Sequence, residues 1–217
     1  MQTVAKKSIR IPEFWLKRKR AGEKILQVTI EGIPPGLLMN SSKAIVTVPK
    51  ARAKVCIHGV SLDEPCKDCL ELRAYRKQDG ELYIPSEMLF AAIMNAATEW
   101  KRGKKSFTPS ILAGSIDLWP EKISLGVKEY KVHEAIVRNP STKGRVRRFR
   151  PWLPEWRATF LVKLNPMYGL TPEVLREMIE EAGTRVGIGD WRPQYKGRFG
   201  RFVVVEFKEV NPWRGKE

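Results

Sequence analysis

Three cysteines and one of the chain's two histidines fall within a short stretch, as Cys56-x-His58 followed by Cys66-x-x-Cys69. Three thiolates and one imidazole complete a tetrahedral shell that suits zinc and leaves no open position for a substrate, so the spacing predicts a structural Zn2+ site. The alternative is three ordinary buried cysteines beside a loop histidine, and it requires all three thiols to cluster by coincidence. A redox Cys-x-x-Cys is disfavoured, because that motif opens a helix directly after a strand and this one stands in a polar segment.

A second group is cationic. Between Arg138 and Arg150 lie Arg138, Lys143, Arg145, Arg147, Arg148 and Arg150 with no acid among them, and Phe149 and Trp152 are interleaved. The planar guanidinium fork matches phosphate, and an aromatic ring stacks on an unpaired base. A merely solvated loop would leave six like charges repelling one another. A third group is glycine-rich: Gly187, Gly189, Gly197 and Gly200, with Arg185, Arg192, Lys196, Arg198 and Arg201 around them and Trp191, Tyr195 and Phe199 between. Small residues there permit close approach of another backbone, and the cations predict nucleic-acid contact. Gly187-Ile188-Gly189 is not a dinucleotide fingerprint, since it follows a helix pattern instead of a strand. His133 stands alone on a strand pattern. No Ser-His-Asp arrangement, paired-carboxylate motif or P-loop is present, so the chain reads as a binding protein and not an enzyme. The rival reading, a metal-independent endoribonuclease, rests on His133 with Tyr130 or a nearby lysine as general acid and base.

The totals agree with binding. There are 40 Lys and Arg against 24 Asp and Glu in 217 residues, a net charge of +16. A domain this basic carries the electrostatic footprint of a nucleic-acid partner. Thermophile surfaces are also rich in charge, but with the signs matched. No signal-peptide pattern and no apolar stretch of membrane-spanning length is visible, which predicts a cytoplasmic protein without a membrane partner. The expected partner is single-stranded DNA or RNA, bound by repeating subunits as a homo-oligomer or filament. A zinc-stabilised structural subunit without affinity for nucleic acid is the third reading.

These groups need elements to hold them. Lys24 to Glu31 alternates as a strand with one core face. Pro34, Pro35 and Gly36 turn the chain. Residues 49–80 interrupt the pattern and read as the zinc insertion. A helix follows with Ser86 as N-cap and Leu89, Phe90, Ile93, Met94, Ala97 and Trp100 on its apolar face. Ile111 to Trp119 and Val127 to Val137 read as strands, 138–151 as a loop or flexible hairpin, and Trp156 to Leu164 as a strand. Thr171-Pro172-Glu173 starts a second helix carrying Leu175, Met178, Ile179 and Ala182, with Gly183 as C-cap. Arg201 to Phe207 is the last strand. This order predicts an α+β, ferredoxin-like (RRM-like) domain over 24–208, its sheet covered on one face by two helices and open on the other. A basic arm, 1–23, precedes it and a tail, 209–217, follows.

A ferredoxin-like core, the Tyr83-Ile84-Pro85-Ser86 lead-in to the first helix and the late glycine-rich loop together resemble the RAMP superfamily of CRISPR-associated proteins. The likeness is to the backbone subunits that line a guide RNA, and extends to small phage and archaeal-virus proteins. It implies that 138–151 is a basic thumb and that 49–80 is comparable to a zinc insertion. Two departures bear on activity. Ser86-Glu87 follows Pro85 where the family commonly has Gly, and Ile33 to Val48 has no carboxylate where the RNA-cutting subunits place an Asp. The resemblance therefore implies a stand-alone coating protein or a non-cleaving subunit.

Overall fold

The computed structural model describes residues 9–17, 22–43, 54–98, 107–138, 144–166 and 169–211. Its largest sheet has four strands: β1 (Lys24–Gly32), β4 (Ile116–Trp119), β8 (Arg157–Leu164) and β9 (Phe202–Val210), in the spatial order β4-β8-β1-β9. Every neighbouring pair is antiparallel. Successive side chains of a strand point to opposite faces. Leu26, Val28 and Ile30 of β1 and Phe160 and Val162 of β8 therefore share one apolar core, against Leu89 and Ile93 of α3 (Ser86–Ala97) and Leu175, Met178 and Ile179 of α5 (Pro172–Glu181). The fold is α+β, with antiparallel sheets and five helices among the described residues.

The opposite sheet face is not wholly open, as the sequence had suggested. The expected arm contributes α1 (Glu13–Leu16), whose Trp15 is 2% exposed and packs on Ile25 and Leu161. Its indole N–H donates to Asp117 Oδ2 at 2.8 Å. One aromatic between polar neighbours has no periodicity to announce it, so only the packing identifies it as an anchor.

Three local expectations change. Residues 109–115 are not the start of a strand but a helix, α4 (Pro109–Ser115), because Thr108 caps it through Ile111 N–H and Pro109 occupies the first turn. Ser86 does not cap α3 but is its first, buried residue. Gly183 does not end α5. The chain continues through a π turn, Ala182–Val186, and leaves it at Gly187, where φ is +71°. Gly183 is needed for close packing instead, since a Cβ there would lie 2.2 Å from Phe202 O. Of the two readings of 138–151, loop or flexible hairpin, its described residues follow the hairpin: β6 (Lys131–Arg138) pairs with β7 (Arg145–Leu153), and β2 (Leu37–Leu38) extends the sheet. A small sheet of β3 (Tyr83–Pro85) and β5 (Lys122–Ser124) braces the start of α3. Trp100 and Lys101 to Lys105 lie outside the described residues. Among the described residues no helix is long and apolar enough to cross a membrane.

Candidate metal centre and nucleic-acid interface

The cysteine segment folds locally around its own thiols. Cys56 N–H donates to Val60 O at 2.8 Å and Gly59 N–H to Cys56 O at 3.0 Å, closing a tight loop that aims Cys56 and His58 inward. Cys66 then caps α2 (Lys67–Arg73), its Sγ accepting from Cys69 N–H at 3.4 Å. The four donor atoms all lie within 4.8 Å of one another. His58 Nδ1 is 3.3 Å from Cys69 Sγ and 3.5 Å from Cys66 Sγ. The thiols are unbridged and buried, and His58 is exposed. Burial opposes the Cys56 thiolate, but bonds to the His58 and Val60 backbone and to the other two thiols bring it down to about 7. Burial and the neighbouring Cys66 and Cys56 push Cys69 up to about 12. The neighbouring thiols thus ease ionisation at Cys56 and oppose it at Cys69, and a bound cation would favour the thiolate at both. The donor set fits a metal ion.

The hairpin sorts its cations onto two faces, since residues opposite each other in an antiparallel pair share a side. Arg145 faces Arg138, Arg147 faces Ile136 and Phe149 faces Glu134 on the outer side. Arg148 faces Ala135, Arg150 faces His133 and Trp152 faces Lys131 on the inner side. Not all are without counter-charge: Arg147 pairs with Glu134 at 3.4 Å, and Arg150 pairs with Asp190 of the glycine-rich loop. Lys143 lies outside the described residues.

The inner side continues into that loop. Trp191, 44% exposed, stacks on Phe199 with ring centroids 5.7 Å apart and planes 25° off parallel. Phe199 meets His133 edge-on at 5.0 Å, and His133 meets Trp152 at 6.0 Å. Trp152 is fixed by its indole N–H donating to Pro35 O at 2.7 Å. Trp191 holds φ +50°. Gly197 passes so close beneath it that a Cβ would lie 1.7 Å from Trp191 O. Arg192 donates to Gly189 O at 3.0 Å and lies over the Tyr195 ring at 4.6 Å, with Tyr195 66% exposed. Lys196 and Arg198 are exposed, and Arg201 donates to Pro34 O at 3.2 Å. Arg185 stands apart in the helix layer, bonded to Glu181 and to Ala96 O.

Sequence reasoning missed Asp190 and Glu134, which counter the cations from separate segments, and Arg73 of α2. Burial first, and then Arg150 and Arg148, lower the pKa of Arg73. The Tyr130 hydroxyl donates to Glu71 Oε1 at 2.7 Å, and burial with that bond pushes the phenol up. Burial, and then Arg150, lower His133. The structure therefore ties Tyr130 to Glu71 and sets His133 against aromatic rings.

No protein-family model matches the chain, and no curated protein matches it. Among the solved structures, one similar chain comes from the cryo-EM structure of the type III-B Cmr-beta bound to cognate target RNA. It shares 9% identity at a TM-score of 0.47 over 87% of this chain, which spans 61% of that neighbour's length.

Proposed function

We propose that this chain binds single-stranded nucleic acid along the inner side of hairpin β6–β7 and the adjoining loop, with a structural zinc in the insertion and no catalysis of its own. One observation carries the reading: an exposed Trp191 ring backed by Phe199 and continuous, through His133, with the arginine-bearing face of β7. A rigid ring beside guanidinium groups is what stacking on a base and pairing with its phosphate require. Zinc is the metal that three thiolates and an imidazole favour. Zn–S of about 2.3 Å and Zn–N of about 2.0 Å imply tetrahedral edges of about 3.5–3.8 Å, near the His58–thiol separations above.

RNA, bound as by a RAMP-type backbone subunit, is favoured over a coat on DNA. The succession β1-α3-β4-β8-α5-β9 with spatial order β4-β8-β1-β9 supports a ferredoxin-like core. Its basic hairpin interrupts the chain between the two middle strands, where the RAMP resemblance expects a thumb. The half-buried His133, set against aromatic rings, and the engaged Tyr130 support the non-cleaving form.

The test is binding of labelled poly-U, poly-dT and duplex DNA across a salt series. Single strands bind more tightly than duplex, poly-U at least as tightly as poly-dT. If about five phosphates are neutralised, log K falls against log salt with a slope of about −3 to −4. Duplex preference, or no binding near physiological salt, would refute the reading.

A further inference from the structure

Helix α2 joins the metal cluster to the hairpin. Cys66 caps it and Cys69 lies in its first turn, while Glu71 and Arg73 close its last turn. Glu71 receives two bonds from Arg76, at 2.9 and 3.1 Å, and one from the Tyr130 hydroxyl. Tyr130 is the residue before β6. Arg76 also donates to Lys128 O at 2.6 Å, so the lead-in to β6 is held by both partners of the pair. Arg73 donates to Asn40 Oδ1 at 2.8 Å, and its own carbonyl accepts from Ser41 N–H at 2.9 Å. This fixes the end of α2 beside β7. Met39, next to Asn40, donates its N–H to Pro151 O at 3.0 Å, so Arg73 is held beside the stretch of β7 that carries Arg148 and Arg150, where their charges oppose its own and Cys69 and Asp190 favour it. An anion is the group that relieves such crowding.

We propose that Arg73 is a nucleic-acid-binding residue, a phosphate contact that completes a site with Arg148 and Arg150, and that the metal cluster positions it there through α2. The inference rests on the single-strand reading above and extends it: the insertion is part of the binding surface and not only a staple.

The experiment uses the full chain with its metal and labelled oligo-U, followed by anisotropy across a KCl series. Arg73→Gln flattens the log–log slope by about 0.7, the loss of one phosphate contact on a single strand. Arg73→Lys restores the slope, because a point charge still displaces a counterion. Chelation of the metal weakens wild type and adds little to Arg73→Gln, since both act on the same contact. Tyr130→Phe keeps the metal but cuts the tie between α2 and β6. It also weakens wild type more than Arg73→Gln, and so reads the coupling even if the chelated protein loosens throughout. If Arg73→Gln keeps the wild-type slope while Arg148→Gln flattens it, the inference fails and the single-strand reading stands. If wild type does not bind oligo-U or oligo-dT, the reading fails and the inference with it.

Discussion

The two faces of the hairpin give a quantitative test of where the strand lies. Arg138, Arg145 and Arg147 project from the outer side, and Arg148 from the inner side with Trp152 and His133. A single strand tracking the inner side neutralises its phosphates there. Changing Arg138, Arg145 and Arg147 together to Ala removes three exposed charges, and if each touched a phosphate the salt slope would flatten by about 2, at about 0.7 per contact. The inner-side reading expects instead a nearly unchanged slope. Only a modest loss of affinity at low salt follows, because exposed charges act within a Debye length of about 8 Å at physiological ionic strength. Arg147 is further discounted by its pairing with Glu134. Arg148→Gln alone flattens the slope by about 0.7. Trp191→Ala leaves the slope intact and weakens binding by about 1–3 kcal/mol, since stacking displaces few counterions. The assay is equilibrium anisotropy with labelled oligo-U across a KCl series. A triple variant that loses about 2 in slope, beside an Arg148→Gln that loses none, would place the strand on the outer side and detach it from the Trp191 platform.

Four further outcomes are expected. Purified protein carries about one zinc per chain by elemental analysis, and Cys66→Ser loses it. Trp15→Ala costs about 3–5 kcal/mol in urea melts, because it empties a buried site and strands Asp117 without its indole donor; a loss under about 1 kcal/mol would mean that α1 only rests on the sheet. Gly197→Ala weakens oligo-U binding about as much as Trp191→Ala while the melting temperature barely moves, since its Cβ collides with the Trp191 carbonyl and not with the core. His133 has a lowered pKa in the fold, so the unfolded chain binds the proton more readily; stability is retained above the ordinary histidine value of about 6.5 and falls as pH drops below it. His133→Gln flattens that dependence in melts at about pH 7.5 and 5.5.

The metal cluster was legible because its geometry is local: a short loop and one helix cap bring four donors together, and spacing alone encodes both. The strand and helix order was legible from periodicity in β1, β8 and α5, where each element has one apolar face. The start of β4 was not, since Ile111 and Leu112 look strand-like until Thr108-Pro109 is recognised as a helix start. The cations of 138–151 were legible as charge but not as faces. Period-2 alternation divides them only once Arg145 is known to pair with Arg138. Asp190 and Arg73 were invisible as members of the site because they reach it from segments far apart in sequence, and Glu134 because only the hairpin register sets it beside Arg147. No local pattern reports a contact made by tertiary packing.

The same separation explains how the chain can carry so much positive charge and still fold. The main apolar core lies between one face of the four-stranded sheet and α3, α4 and α5, and it includes none of the four metal donors. The hairpin contributes to that core only through Leu153 at its base. Charge repulsion at Arg145, Arg147 and Arg148 is therefore confined to a projection whose backbone pairing tolerates it. Among the described residues, the cysteine segment has Val60 and Leu62 packed around its thiols, a small apolar area to order it. A metal held by the four donors would supply that order where hydrophobic burial does not. The Glu71–Tyr130 bond then transmits it to the foot of the hairpin. The core resides in the sheet and helices, and the proposed recognition surface in two insertions that brace each other, so substitutions on the inner side are expected to alter binding without unfolding the domain.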